Sequence, residues 1–381
     1  MELFYKNVFC GIISVMKIQE IISALELIAP NAFQESYDNS GLIVGDPNWE
    51  FKASLICLDS TEAVIDEAIE KGANLVIAHH PILFKGIKRL NGNHYTSRAV
   101  IKAIKHDIAI YAIHTNLDNV RNGVNEEFAD RLGLSKKNRS ILIPKEESLL
   151  KLEVLCPGDH SEKVTEAVWK AGAGNVGQYD RCVFSSEGQG RFRPTGTANP
   201  HVGQLNKDER TEELQLDFLL PIHLQHKVLQ AMRAAHPYEE VAYFLHPLVN
   251  SNQDVGSGLV GELEKSLSVE EFLKHVKSSM KGQCLKYTEY KQGPIKKVAL
   301  LGGSGIFGLE AAKLAGAQAF ITADVKYHEY FEADGELLLV DIGHYESEQY
   351  TQELIQRVLI EKFPTFAHLL TGLLTNPVKY L

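Results

Sequence analysis

Asn74-Leu75-Val76-Ile77-Ala78-His79-His80-Pro81 is the stretch from which the fold reads outward. Leu75 to Ala78 is a short apolar run that predicts a buried strand, and Pro81 stops it. Two imidazoles then leave the carboxyl end of a strand, the edge where ligands collect in open α/β sheets. Neighbouring residues of an extended chain point to opposite sides, so both histidines reach one site only if the chain turns there. One reason for such a pair is that each histidine serves a different metal ion.

The flanking sequence repeats the pattern. Apolar residues at helical spacing run from Ile18 to Leu27, Ser54 to Leu58 predicts a strand, and Thr61 to Lys71 a helix closed by Gly72. Ser97 to His106 is helical and Ile108 to Ile113 a strand. After a middle segment of different character, Val269 to Met280 predicts a helix and Lys297 to Leu301 a strand entering Gly302-Gly303-Ser304-Gly305. Leu309 to Ala315 is helical, Ala319 to Thr322 and Leu337 to Ile342 are strands, and His344 to Lys362 has one long helical pattern. Strands alternating with helices predict an α/β core with a mostly parallel sheet in αβα layers.

Between these halves the order is strand (Lys151 to Cys156), helix (Ser161 to Ala171), strand (Cys182 to Ser185), strand (Glu213 to Leu219), helix (His223 to Ala235), strand (Val241 to His246). A Gly-rich hairpin is read at Glu187 to Gly190, and 200–211 as a polar loop. This βαββαβ order predicts a ferredoxin-like α+β insertion at 148–246. Residues 16–144 and 248–381 then form one discontinuous domain, because potential ligands come from both sides of the insertion.

At 381 residues the chain exceeds one typical core. Hydrophobic residues make up 44% and charged residues 23%, the balance of an ordinary globular protein, with no span apolar enough for a membrane. The net charge of −10 argues against a nucleic-acid partner held by phosphate neutralisation. Cys10, Cys57, Cys156, Cys182 and Cys284 are scattered without Cys-x-x-Cys spacing, which disfavours a thiolate zinc site or a disulfide framework and fits a reducing cytoplasm. Residues 1–15 read as an N-terminal extension before the helical pattern that Met16 opens.

Four strand ends carry chemistry: His79 and His80; His114 to Asp118; Asp324 and His328; His344 and Glu348. His344 and Glu348 are four apart at a helix start, which puts both on one face. Glu346 points the other way. Asp118 sits in a polar turn that lets it aim back at the sheet edge. Nitrogen and oxygen donors without sulfur suit zinc, iron(II) or manganese, and a carboxylate bridges two ions. Taken singly, His114 is more often a supporting residue than a ligand, and a His–Glu pair more often a surface feature. Their common position after apolar strands is what shifts the reading to a metal site. The Gly302–Gly305 turn matches neither nucleotide fingerprint; its backbone N–H groups suit a phosphate, and a plain tight turn fits the sequence at least as well.

At this point the chain resembles the GTP cyclohydrolase I type 2 family, also called Nif-three-like proteins. The resemblance rests on Ser36-Tyr37-Asp38-Asn39-Ser40-Gly41-Leu42, Ala78-His79-His80-Pro81, His114-Thr115-Asn116-Leu117-Asp118, Gly302-Gly303-Ser304-Gly305, Ala323-Asp324-Val325-Lys326-Tyr327-His328 and Gly343-His344-Tyr345-Glu346-Ser347-Glu348. It covers Met16 to the C-terminus; Ala323 departs from the family, which more often has Gly there. The resemblance implies two divalent metal ions per subunit, held by His79, His80, Asp118, His344 and Glu348, with Glu348 as the bridge. It also implies a long form with the insertion, matched at Arg191-Phe192-Arg193-Pro194 and His236-Pro237-Tyr238-Glu239-Glu240, and a homohexamer.

Two functions follow as expectations. One is a dinuclear metal-dependent hydrolase acting on a small molecule such as GTP or another nucleotide, with His114 or His328 carrying protons and Gly303 to Gly305 or Lys326 touching phosphates. The other is a non-catalytic metal-binding regulatory or interaction protein. Nothing in these residues reads guanine, which favours the second.

Overall fold

The structure is a computed structural model that describes residues 15–381. The reading of the N-terminus as an extension falls, but for Val15, outside the described residues. The chain forms two compact units. One comprises the residues up to Arg139 together with Gly258–Leu381, and the other is Ser140–Ser257.

The first unit carries two sheets where one was expected, the first largely parallel and the second mixed. In the first sheet the strand order is Gly41–Val44, Ala109–Ala112, Leu75–His80, Ala53–Asp59, Ala367–Leu370. All pairings are parallel except that of Gly41–Val44. Leu55 to Leu58 and Leu75 to Ala78 are buried throughout, as continuous apolar runs are when both faces of a parallel sheet are covered. Helices Glu62–Glu70 and Tyr95–Lys105 supply Val64, Ile65, Ala68, Ala99, Val100 and Ala103 to this core. Thr61 caps the first of them, its side chain accepting from the Val64 N–H.

In the second sheet Ile295–Leu300, Ala319–Thr322 and Leu338–Asp341 run parallel. The long strand Asn252–Leu267 pairs antiparallel to one side through Leu259–Leu267, and Lys286–Tyr287 to the other. Helix Val269–Ser279, closed at its start by a Ser268–Glu271 capping box, buries Phe272 and Val276 against it, and helix Val124–Arg131 buries Phe128.

The second unit runs strand Leu149–Pro157, helix Ser161–Ala171, strands Phe184–Phe192 and Glu209–Pro221, helix Gln225–Ala235, strand Tyr243–Pro247. The sheet is antiparallel, in the order Phe184–Phe192, Glu209–Pro221, Leu149–Pro157, Tyr243–Pro247. Leu150, Leu152, Val154 and Cys156 alternate along one strand face and bury against Val164, Val168, Val228 and Met232 of the two helices.

Three sequence readings change. Glu187 to Gly190 is not a hairpin: one strand continues to Phe192, with Gly190 where a Cβ would meet the Glu213 carboxylate of its partner strand. The polar segment read as a loop already enters a strand at Glu209. The pattern from His344 to Lys362 is two helices, His344–Glu348 and Thr351–Lys362, because the first turn is held at the site by Glu348 while Tyr350 packs into the neighbouring core.

Candidate metal centre

The strand carrying the histidine pair does not stop at Ala78; it continues in register, His80 opposite Asp59. Even so, the two imidazoles come together, with ring centroids 5.0 Å apart. Both meet one carboxylate: Glu348 Oε1 lies 4.0 Å from His79 Nε2, and Glu348 Oε2 lies 3.1 Å from His80 Nε2. Glu348 is thus shared between the two neighbouring histidines, without a turn in the strand.

His79 is fully buried, and its Nδ1–H donates to the Ile113 carbonyl at 2.8 Å. That bond fixes the tautomer and leaves Nε2 as a bare lone pair. Burial lowers its pKa to about 3, so the ring is neutral. Its Nε2 faces Asp118 Oδ1 at 3.6 Å, beyond hydrogen-bond reach, and both atoms are buried with no hydrogen-bond partner among the described residues. Two orphaned acceptors facing each other are costly unless a cation lies between them. Burial, then the charge of Glu348, pushes the Asp118 carboxyl well above the usual carboxylate range, a position that a divalent cation would relieve.

His80 and His344 form the second half. Their Nε2 atoms stand 3.3 Å apart, each 3.1 Å from Glu348 Oε2. His80 Nδ1 is held by Asp59 Oδ1 at 2.9 Å and His344 Nδ1 by Asp324 Oδ2 at 2.6 Å. Burial pushes both rings down in pKa, but the surrounding carboxylates outweigh it and raise His80 to about 9 and His344 to about 11. Burial likewise works against Glu348, yet His344 and His80 hold it well below the usual range, as a carboxylate.

His114 belongs to the same cluster. Its ring meets those of His79 and His80 edge-on at 5.2 Å, and Asp38 Oδ1 holds its Nδ1 at 2.8 Å. Burial opposes the charge on Asp38, but bonds from His114 and Thr115 prevail and depress its pKa. The ligand atoms of His79, His80 and His114 lie within 4.8 Å of one another, as do those of His80, His344 and Glu348, so each group could hold an ion. This donor set, neutral or orientable imidazoles around one buried carboxylate, suits a divalent metal.

Asp118 ends a one-turn helix, Thr115–Asp118, rather than a loose turn. His328 is exposed on the 3₁₀ segment Tyr327–Ala333, with ring contacts to Tyr327 and Phe331. Lys326 is exposed and pairs with Glu329. The glycine turn is no phosphate cradle: Gly302 N–H donates to Asn125 Oδ1, Gly303 N–H to Ser347 Oγ and Gly305 N–H to Thr322 Oγ1. Its purpose is space, because a Cβ on Gly303 would meet Glu348 Oε1. Sequence reading missed Asp38 and Asp59 as histidine partners, and it placed Asp324 among the strand-end residues without seeing that it holds His344. The signal was weak: an Asp in a polar turn or at a strand end has many ordinary uses.

Three comparisons bear on this geometry. The family model Duf34/NIF3 (NGG1p interacting factor 3) matches residues 16–377. Two proteins named GTP cyclohydrolase 1 type 2 homolog are similar: that of Halalkalibacterium halodurans is 40% identical over 90% of this chain and 93% of its own, and that of Bacillus subtilis 38% identical over 90% and 91%. A crystal structure of a Bacillus cereus protein related to NIF3 superposes with a TM-score of 0.83 at 37% identity, covering 96% of this chain and all of the other.

Proposed function

This chain belongs to the Duf34/NIF3 family, and from that premise we propose that it is a dinuclear metal-dependent hydrolase. The observation that carries the reading is Glu348, one buried carboxylate whose two oxygens face two separate histidine groups. His79, Asp118 and Glu348 would hold one ion, and His80, His344 and Glu348 the other. When bound, such ions supply a water acidic enough to ionise near neutral pH, about 7, and polarise the bond to be cleaved. His114, steadied by Asp38, holds or moves a proton beside that site; exposed His328 is a second proton carrier in this reading.

The substrate we propose is GTP or a similar nucleotide, as the relatives' names suggest for them. Residues 81–94, directly after His80, support an anionic, ring-bearing molecule: they contain Lys85, Lys88 and Arg89 and no acidic residue. Phe84 stands half-exposed with its ring 5.6 Å from His114, offering an aromatic surface at the site's rim. The proposal includes a ferredoxin-like reading of the second unit, whose antiparallel order fits that plait, and assembly as a homohexamer in the cytoplasm. No helix among the described residues is long and apolar enough to cross a membrane.

The test is incubation of the metal-loaded chain with GTP, other nucleotides and phosphoesters, with products followed by mass. Turnover that disappears in His80→Ala and Glu348→Ala supports the hydrolase. Tight metal binding with no turnover of any of them favours the non-catalytic metal-binding role instead. The mass of the native assembly reads the hexamer.

A further inference from the structure

Downstream of the strand Ala367–Leu370 the chain has no regular secondary structure, yet its polar side chains are spoken for. Thr371 N–H donates to Ile56 O at 2.9 Å and Gly372 N–H to Glu67 Oε1 at 2.8 Å, which ties the segment to the first sheet and its helix. Two consecutive residues then turn towards the metal centre. The Thr375 hydroxyl donates to Asp59 Oδ2 at 2.9 Å, and the other oxygen of that carboxylate, Oδ1, holds His80 Nδ1. Asn376 is buried; its Oδ1 accepts from Val378 N–H at 3.0 Å, which aims its Nδ2 at Glu346 Oε1, 3.2 Å away. Glu346 is itself buried in the one-turn helix that carries His344 and Glu348, with its other oxygen against Gly343.

We infer that Thr375 and Asn376 are positioning residues that clamp the two halves of the metal centre. Thr375 fixes the Asp59 carboxylate and through it the orientation of His80, on the first sheet. Asn376 fixes the turn His344–Glu348, at the end of the second. Adjacent in sequence, they keep ligands from two sheets in one constellation, as partners beyond the ligands themselves do in metal sites. A hydroxyl is required at 375 because it gives its proton to a carboxylate whose second oxygen is already engaged. The inference rests on the dinuclear reading, because it concerns ligands to those ions.

The experiment is titration of the full-length metal-free chain with cobalt(II), following both affinity and the visible absorption that reports ligand geometry. Thr375→Val and Asn376→Ala are each expected to weaken binding about tenfold or more and to alter the absorption bands. Thr375→Ser, which keeps the hydroxyl, restores both. Combining Thr375→Val with Asp59→Asn adds little to Asp59→Asn alone, since both act through His80. A folded Thr375→Val that binds cobalt with wild-type affinity and spectrum overturns the inference while leaving the two-ion reading intact. A wild-type chain that binds no cobalt overturns both.

Discussion

His80 Nε2 and His344 Nε2 point at each other across 3.3 Å, one from each sheet, with Glu348 Oε2 3.1 Å from both. Their pKa values, raised from 6.5 to about 9 and about 11, mean that both rings hold protons near neutral pH. A metal needs their lone pairs, so its uptake expels those protons. Titration calorimetry in buffers of different ionisation enthalpy is expected to show net proton release, and affinity should rise with pH through about 9 and on towards about 11. Affinity that is flat over that range, with no proton release, contradicts the assignment of these rings as ligands.

Gly303 is the counterpart constraint. With φ at +64° and Glu348 Oε1 where a Cβ would project, Gly303→Ala strains the backbone and displaces the shared carboxylate. The expected cost is about 1–2 kcal/mol of stability from the left-handed backbone, and a larger effect on metal affinity, about 10–100-fold. Denaturant unfolding and metal titration measure the two separately. A variant that loses stability but keeps its metal affinity refutes the spatial role.

Asp324 holds His344 and Asp38 holds His114, in each case through Nδ1. Asp324→Asn is expected to weaken metal binding by about 10–100-fold, as the loss of a carboxylate behind a ligating histidine does. Asp38→Asn should reduce turnover more than metal content, because His114 is assigned to protons. Elemental analysis beside steady-state kinetics distinguishes the two, and equal loss of metal in both variants would make His114 a ligand instead.

Removing metal is expected to lower thermal stability. At free metal one hundred times Kd, each site contributes about 2.7 kcal/mol, so chelation should lower Tm by several degrees. A chelated chain that melts where the loaded one does argues against binding to the folded state.

The acid side has its own prediction, away from the site. His368 is buried on the strand Ala367–Leu370 with Nδ1 at 2.9 Å from Ser54 Oγ, and burial lowers its pKa from 6.5. The unfolded chain therefore takes up the proton first as pH falls through 6.5. Stability that is complete above that value is lost below it. In the metal-free chain, Tm should fall less steeply below 6.5 in His368→Gln than in the wild type. Equal slopes would assign the acid limb to other groups.

The sequence carried the alternation of strand and helix because each buried strand is a continuous apolar run: Leu75 to Ala78 and Ala319 to Thr322 were legible for that reason. It did not carry the division into two sheets: the edge strands Gly41–Val44 and Ala367–Leu370 are only partly buried, so they lack the fully buried run that marks the inner strands. The site histidines were legible because they follow such runs. Asp38 and Asp59 were not, because what they do is set by partners 76 and 21 residues away in sequence. Thr375 was invisible in the same way, 316 residues from the carboxylate it holds. The glycine turn stayed ambiguous for a further reason: a glycine kept for room looks, in sequence, like one kept for an anion.

The central claim is that Glu348 joins two metal sites. The most direct measurement is anomalous scattering from crystals of the metal-loaded chain, with elemental analysis of the same sample. The account predicts two ions per chain, one against His79 and Asp118, the other against His80 and His344, with Glu348 touching both. A single ion, or two ions of which neither contacts Asp118, would contradict it.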